Sequence, residues 1–296
     1  MGLSLTTTMN LTSIQQIKAL LAEHGLRPKK RLGQNFLIDR NVLERIVDAT
    51  GPGPGVNVLE IGPGLGVVTR ELAWKGARVV CVEADRALEP VLRDVLADAG
   101  SVEIVTQDFL KLDLPEFFAL RGAGKWVVVG NLPYYITSPI ITKLIEAKDS
   151  ISAMVVMVQR EVAQRLAAPP GSDDYGALSV FVQYHCDIRS VMKVSKNVFY
   201  PVPDVDSEAL KLTVLAKPRV DVRDERLFFK ITRAAFGKRR KTLLNALSSS
   251  EDLGWNKDHA RAALESAGIE PERRGETLSL EEFALISNTA KGGHTK

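Results

Sequence analysis

Only two cysteines, Cys81 and Cys186, occur in the 296 residues, and no recurring spacing surrounds them, which excludes a disulfide framework and a zinc-binding cysteine pattern. A reducing cytoplasm is the compartment this implies. Membrane-length apolar runs are missing: the best stretch, Ile151 to Val158, is strand-sized and contains Ser152, well short of the roughly 18 residues a span needs. No membrane association is expected. The polar start Met1 to Ser13 lacks the apolar centre of a secretory signal. The histidines His24, His185, His259 and His294 show no ligand spacing, so no metal is expected, and no H-x-E with P-C-x-x-C marks a zinc base deaminase. No serine or cysteine nucleophile has a partnered motif, and no segment repeats.

What is present describes a globular chain, since 45% hydrophobic and 25% charged residues leave no room for a disordered or collagenous reading. The formal charge of +3 is unevenly spread. Residues 1 to 216 carry 23 Lys/Arg against 24 Asp/Glu, whereas 217 to 296 carry 16 against 12. The surplus in the tail includes Lys238-Arg239-Arg240-Lys241, and a second basic knot, Lys29-Lys30-Arg31, stands near the start. Such clusters neutralise phosphates and release counterions from nucleic acid, or else form a solvated surface.

Apolar spacing predicts a helix from Ser13 to just before Gly25, and a second from Asp39 to Asn41 onward, with Glu44 three residues after Asn41 as in a capping box and Gly51 as its stop. Residues 29 to 37 between them read as a loop. From residue 56 short apolar runs alternate with helix-length segments, which points to βαβ units and a mostly parallel sheet. Strands are expected at Val56 to Ile61, Arg78 to Val82, Val102 to Thr106, Trp126 to Val129 and Ala153 to Val158, with an antiparallel pair at Ile188 to Val194 and Leu210 to Leu215. Turn-rich Ala168 to Asp174 interrupts this series. Pro218 marks the expected boundary, giving an α/β domain over 1–217 and a small C-terminal α-helical domain over 218–296.

Ligands of open α/β sheets bind beyond the carboxyl ends of the strands, so the residues following each run carry the chemistry. The first run ends in Glu60-Ile61-Gly62-Pro63-Gly64-Leu65-Gly66, where glycines let backbone approach a ligand beside free helix N–H groups. A dinucleotide fingerprint would need a glycine at Val67. The second run ends at Glu83, placed to accept hydrogen bonds from both hydroxyls of a ribose, and the third is followed by Asp108, placed to accept from an adenine amino group. The fourth leads into Asn131-Leu132-Pro133-Tyr134. An exocyclic base amine is a poor nucleophile because its lone pair is delocalised into the ring. The Asn131 side-chain oxygen and the Leu132 carbonyl could draw its N–H bonds out of plane, while Pro133 stiffens the turn and Tyr134 stacks on a flipped base.

The ordered series E-I-G-P-G-L-G, V-E-A-D, Q-D-F and N-L-P-Y resembles the class I S-adenosylmethionine-dependent RNA adenine dimethyltransferases. K-K-R-L-G-Q-N-F-L-I-D at 29 to 39, N-V-F-Y-P-V-P-D-V-D-S at 197 to 207 and A-F-G-K-R-R-K-T-L at 235 to 243 extend the likeness over residues 15 to 288, toward the branch acting on the small ribosomal subunit. The resemblance implies a Rossmann-like class I methyltransferase sheet with an antiparallel edge. It further implies that Asn35 and Leu37 hold the methionine part of S-adenosylmethionine with Gly62 and Gly64 behind it, that Glu83 binds its ribose and Asp108 its adenine. Asn131 would sit between donor and target amine, and Phe199 would stack opposite Tyr134 to sandwich the substrate base. Lys29, Lys30, Arg31, Lys238, Arg239, Arg240 and Lys241 are the candidates for RNA contact.

The activity implied is dimethylation of two adjacent adenosines in the 3′-terminal hairpin loop of 16S rRNA within the small subunit, by a monomer that needs no metal. A sulfonium methyl is already activated, so alignment of the amine at about 3–3.5 Å and exclusion of water are the main tasks. Three other readings remain: a large-subunit methylase of the macrolide-resistance type, an NAD-dependent oxidoreductase, and a non-catalytic ribosome-assembly factor. The K-R-R-K segment and V-D-S match weigh against the first, Val67 and N-L-P-Y against the second, and the intact Glu83, Asp108 and Asn131 against the third.

Overall fold

Valine-rich runs such as N-V-L-E-I and R-V-V-C-V-E lack the alternation of a half-exposed strand, and in the computed structural model they are central strands covered on both faces. Residues 9–29, 32–238 and 240–290 are described; Lys30, Arg31 and Arg239 lie outside them. The chain opens with α1 (Ile14–Glu23), the two-residue strand β1 (Phe36–Leu37) inside the expected loop, and α2 (Arg40–Thr50). Asp39 caps α2, accepting from the Val42 N–H at 2.9 Å, and Gly51 closes it in the left-handed conformation. No capping box forms at Asn41, because Glu44 turns instead to Arg40, four residues back along the same face.

The α/β series follows: β2 (Asn57–Ile61), α3 (Val67–Trp74), β3 (Arg78–Glu83), α4 (Glu89–Val95), β4 (Val102–Thr106), α5 (Leu114–Ala119), β5 (Trp126–Asn131), α6 (Thr137–Glu146), β6 (Ile151–Gln159) and α7 (Arg160–Ala167). After α8 (Ala177–His185) come β7 (Cys186–Val194), β8 (Phe199–Tyr200) and β9 (Ser207–Val214). Seven strands form one sheet in the order β4-β3-β2-β5-β6-β9-β7, with β4 through β6 parallel and β9 antiparallel to β6. The strand order reverses between β2 and β5, so a crevice opens beyond their carboxyl ends. Separately, β1 pairs with β8 antiparallel, Phe36 opposite Tyr200 and Leu37 opposite Phe199.

The register that places Ile61 opposite Gly130 leaves no room for a side chain at the latter, since a Cβ there would stand 2.7 Å from the Ile61 carbonyl oxygen. Gly130→Ala must therefore push β2 and β5 apart at the crevice. The expected loss is about 1–3 kcal/mol of stability, read as a lower midpoint in thermal or urea unfolding; an unchanged midpoint would mean that the strands yield freely.

Contacts divide the chain into two units, one of residues up to Ala163 with Ile188–Val214, the other of Gln164–Asp187 with the residues from Leu215 onward. This differs from the expected cut at residue 217. The 164–187 segment belongs with the helical unit because α8 turns Val180 and Tyr184 into its core, where the Tyr184 and Phe228 rings lie 5.0 Å apart. That core is completed by α9 (Glu225–Phe236), α10 (Leu243–Ser248), α11 (Lys257–Ser266) and α12 (Leu280–Thr289), through residues such as Ile231, Leu247, Leu264 and Phe283. In the sheet unit Leu43, Val47, Leu72 and Leu92 of the helices bury against Val58 and Val79.

Candidate active site

The loop after β2 is built around left-handed backbone. Gly62 has φ +67 and a Cβ there would meet nothing within 4 Å, so the bare backbone faces open space; Gly64, at φ +59, leaves room for the Phe36 ring, which a Cβ would approach to 3.2 Å. At the tip of β3 the Glu83 carboxylate accepts the Gly64 N–H at 3.2 Å and the Asp85 N–H at 2.9 Å. Burial raises its pKa above the ordinary carboxyl value, and those two N–H bonds offset the rise only in part. Beyond β4, exposed Asp108 accepts the Leu110 N–H at 3.0 Å through Oδ1, and its other oxygen has no donor among the described residues.

These groups meet in a cleft of about 360 Å³, which takes in Asn35, Gly62, Gly64, Glu83, Asp108 and Asn131. Leu37, the remaining residue expected on the cofactor, lines a smaller adjoining cavity of about 60 Å³ that shares Asn35, Gly62, Gly64 and Asn131 with the cleft and adds Leu11 and Glu60. The cleft fits a nucleoside-bearing ligand: a side-chain-free backbone wall at Gly62, a recessed acid at Glu83 for hydroxyl groups, and an acid at Asp108 for an amino group.

One wall is a strap fastened by side chains. Lys29 Nζ lies 2.7 Å from Asp85 Oδ1, Gln34 Nε2 donates to Asp85 Oδ2 at 2.8 Å, and the Gln34 Oε1 accepts the Lys29 N–H at 2.8 Å. Burial works against the Asp85 charge, but the bonds from Lys29 and Gln34 outweigh it and hold the carboxyl below its ordinary value. Lys29, expected on RNA, is thus committed to the strap. Lys238, Arg240 and Lys241 are exposed on the turn between α9 and α10. The part played by Asp85 and Gln34 went unseen in the sequence; the signal was the second acid in V-E-A-D.

The turn after β5 aims Asn131. Its Nδ2 donates to the Asn35 carbonyl at 3.2 Å, which leaves Oδ1 as the free acceptor. Leu132 anchors the turn with a buried side chain and an N–H bonded to the Met157 carbonyl at 3.0 Å, and no described residue donates to its own carbonyl. Pro133 accepts at its carbonyl from the Ile136 N–H and Thr137 Oγ1, at 3.1 and 3.0 Å. Half-buried Tyr134 is 3.0 Å through its hydroxyl from Ser207 Oγ. Phe199 is not brought into the cleft: it is 1% exposed and packs in the core.

Glu60, at the start of the glycine motif, is enclosed, accepts from Thr69 Oγ1, and is pushed up to about 7 by burial. The folded chain therefore holds this proton more tightly than the unfolded chain, so stability declines as pH rises from about 4.5 to about 7 and stays low above that. Glu60→Gln should remove this slope and add up to about 3 kcal/mol at pH 8, at about 1.36 kcal/mol per pKa unit. Unfolding of both proteins between pH 5 and 8 is the measurement, and parallel profiles would show that Glu60 stays ionised.

Comparison with known proteins agrees with this geometry. Residues 25–291 match the family model described as ribosomal RNA adenine dimethylase. The chain is 50% identical over 277 residues to ribosomal RNA small subunit methyltransferase A of Moorella thermoacetica, covering 92% of this chain and 95% of that one, and 47% identical over 278 residues to the protein of the same name from Alkaliphilus metalliredigens, covering 94% and 96%. Among solved structures, a dimethyladenosine transferase from Plasmodium falciparum aligns with TM-score 0.70 at 25% identity, over 84% of this chain and 95% of that one. The 23S rRNA methyltransferase ErmE aligns with TM-score 0.66 at 28% identity, over 87% and 100%. A glycine loop, two strand-tip acids and an aimed asparagine at the switch point of a parallel sheet, together with a match across nearly the whole chain, make this protein a member of the ribosomal RNA adenine dimethylase family.

Proposed function

We propose that the protein transfers methyl groups from S-adenosylmethionine to the exocyclic amines of two adjacent adenosines in the 3′-terminal hairpin loop of 16S rRNA, within the small ribosomal subunit. The observation that carries this reading is the position of Asn131, whose unclaimed Oδ1 stands on the same cleft as Gly62, Glu83 and Asp108. The bound cofactor supplies an activated sulfonium methyl. Glu83 would accept from ribose hydroxyls, Asp108 from an adenine amino group, and Gly62 and Gly64 would back the methionine portion with Asn35 and Leu37 beside it. Asn131 Oδ1 and the Leu132 carbonyl would accept from the target amine, pulling its lone pair out of conjugation and into line with the methyl, and Tyr134 would stack on the base.

The small-subunit substrate is supported by the relatives at 45–50% identity, all carrying the small-subunit name, against 28% for the large-subunit enzyme. The helical unit, with Lys238, Arg239, Arg240 and Lys241, would hold RNA along with Lys30 and Arg31. The protein would act as a monomer in the cytoplasm; no described helix is long and apolar enough to cross a membrane. Mass spectrometry of unmethylated small subunits incubated with the protein and labelled methyl donor should find two dimethyladenosines in the 3′-terminal hairpin. Label confined to large-subunit RNA, or no label, would refute the assignment.

A further inference from the structure

A second groove, of about 440 Å³, lies apart from the cleft and is bordered by Lys18, Leu26, Arg27, Pro28, Tyr200 and Pro201; its size is within the about 300–1,000 Å³ of small-ligand sites. It lies beside the β1–β8 ribbon, which contributes Tyr200 to its wall. Successive side chains of a strand point to opposite faces, so Phe199 enters the core while Tyr200 faces the groove. Lys18 and Arg27 are exposed, and neither has an acidic partner among the described residues, unlike Lys29 close by, which is held by Asp85. Lys18 Nζ stands 5.3 Å from the centroid of the Tyr200 ring. The groove thus combines a flat aromatic wall with two uncommitted cations, the pairing that single-stranded nucleic acid sites use: stacking for a base and positive charge for its phosphates.

Resting on the RNA-methylating reading above, we propose that this groove binds a nucleotide of the single-stranded loop next to the adenosine being methylated, its base on Tyr200 and its phosphates between Lys18 and Arg27. The register supports the adjacency. Tyr200 pairs with Phe36, and Phe36 follows Asn35, whose carbonyl orients Asn131. Opposed residues of an antiparallel pair share a face, so the Tyr200 ring stands on the same side of the ribbon as Phe36, which itself lines the cleft, and the groove and the methyl-acceptor position flank one short ribbon. Lys18 moves from the ring to a phosphate as the base takes its place. An acidic peptide would satisfy both cations and leave the ring face unused.

The test uses the full chain as wild type, Lys18→Gln/Arg27→Gln, Tyr200→Ala and Tyr200→Trp. Affinity for protein-free small-subunit rRNA is measured across a salt series, alongside S-adenosylmethionine affinity and methylation of small subunits. The double variant should bind this RNA about tenfold more weakly, with the slope of log K against log salt shallower by about 1.4, from about 0.7 per phosphate on single strands. Tyr200→Ala should weaken binding about tenfold and Tyr200→Trp restore it, with cofactor affinity unchanged in all. Unchanged RNA affinity and slope in the double variant would overturn the proposal even if Tyr200→Ala failed to fold. A loss seen only with protein-bearing subunits would also overturn it, handing the groove to a ribosomal protein. Wild-type protein that neither binds nor methylates small-subunit RNA would instead sink the parent reading; an active wild type with wild-type-like variants sinks the groove alone.

Discussion

Asn131→Ala should lower the methyl-transfer rate by about 10²–10³, the loss found when one preorganised polar group is removed from a developing charge, while S-adenosylmethionine affinity stays within a few-fold. The amide is fixed at one end by the Asn35 carbonyl, so its oxygen needs no reorientation when the amine arrives. Removing it forfeits an interaction made as the nitrogen becomes cationic, and the effect should fall on kcat in single-turnover methylation of small subunits. The side chain is partly exposed, and its loss leaves only the Asn35 carbonyl without a partner, so the melting temperature should barely move. A variant that methylates at the wild-type rate would remove Asn131 from the chemistry and leave the Leu132 carbonyl to carry it.

Glu83→Ala should weaken S-adenosylmethionine binding by about 10²-fold, since two hydrogen bonds to a charged group are worth about 1.5 kcal/mol each or more. Stability should change far less. Burial already works against this carboxylate, and its removal relieves that penalty while leaving the Gly64 and Asp85 N–H groups without their acceptor. The raised pKa adds a second signature. Only the ionised acid accepts from both ribose hydroxyls, so cofactor affinity in the wild type should strengthen as pH rises through the Glu83 titration, and Glu83→Gln should flatten that dependence. Calorimetric titration over a pH series starting near the ordinary carboxyl value of 4.5 and running upward reads both effects; undiminished binding by Glu83→Ala would place the ribose elsewhere.

The strand-tip acids were legible because each is the last residue of, or closely follows, a recognisable apolar run, and a parallel sheet brings all such tips to one edge. The same reasoning located the glycine turn and Asn131. That Lys29 is drawn into the site wall rather than left for phosphate is not legible locally, because its partner Asp85 lies 56 residues away and nothing nearby distinguishes the pair from two solvated charges. Nor is the enclosure of Phe199 legible: a two-residue strand has no periodicity to read, and β8 exists only because β1 lies beside it. The start of the helical unit is hidden from the sequence for a related reason. The apolar face of α8 fits either unit by pattern alone, and only packing of Tyr184 on Phe228 selects one.

By itself, then, the order of residues determined the alternation of strands and helices, the acids and glycines at the strand ends, and the family those motifs mark, since each depends on neighbours within a turn or a strand. The tertiary structure alone decided what those residues face. The Asn131 amide is aimed by a carbonyl 96 positions earlier in the chain, the strap is closed by Asp85, and Tyr200 is set beside Phe36 by a pairing that spans the sheet unit. Hydrogen-bond geometry and burial are set by groups that only folding brings within about 3 Å of one another, and no local pattern encodes which of them will meet.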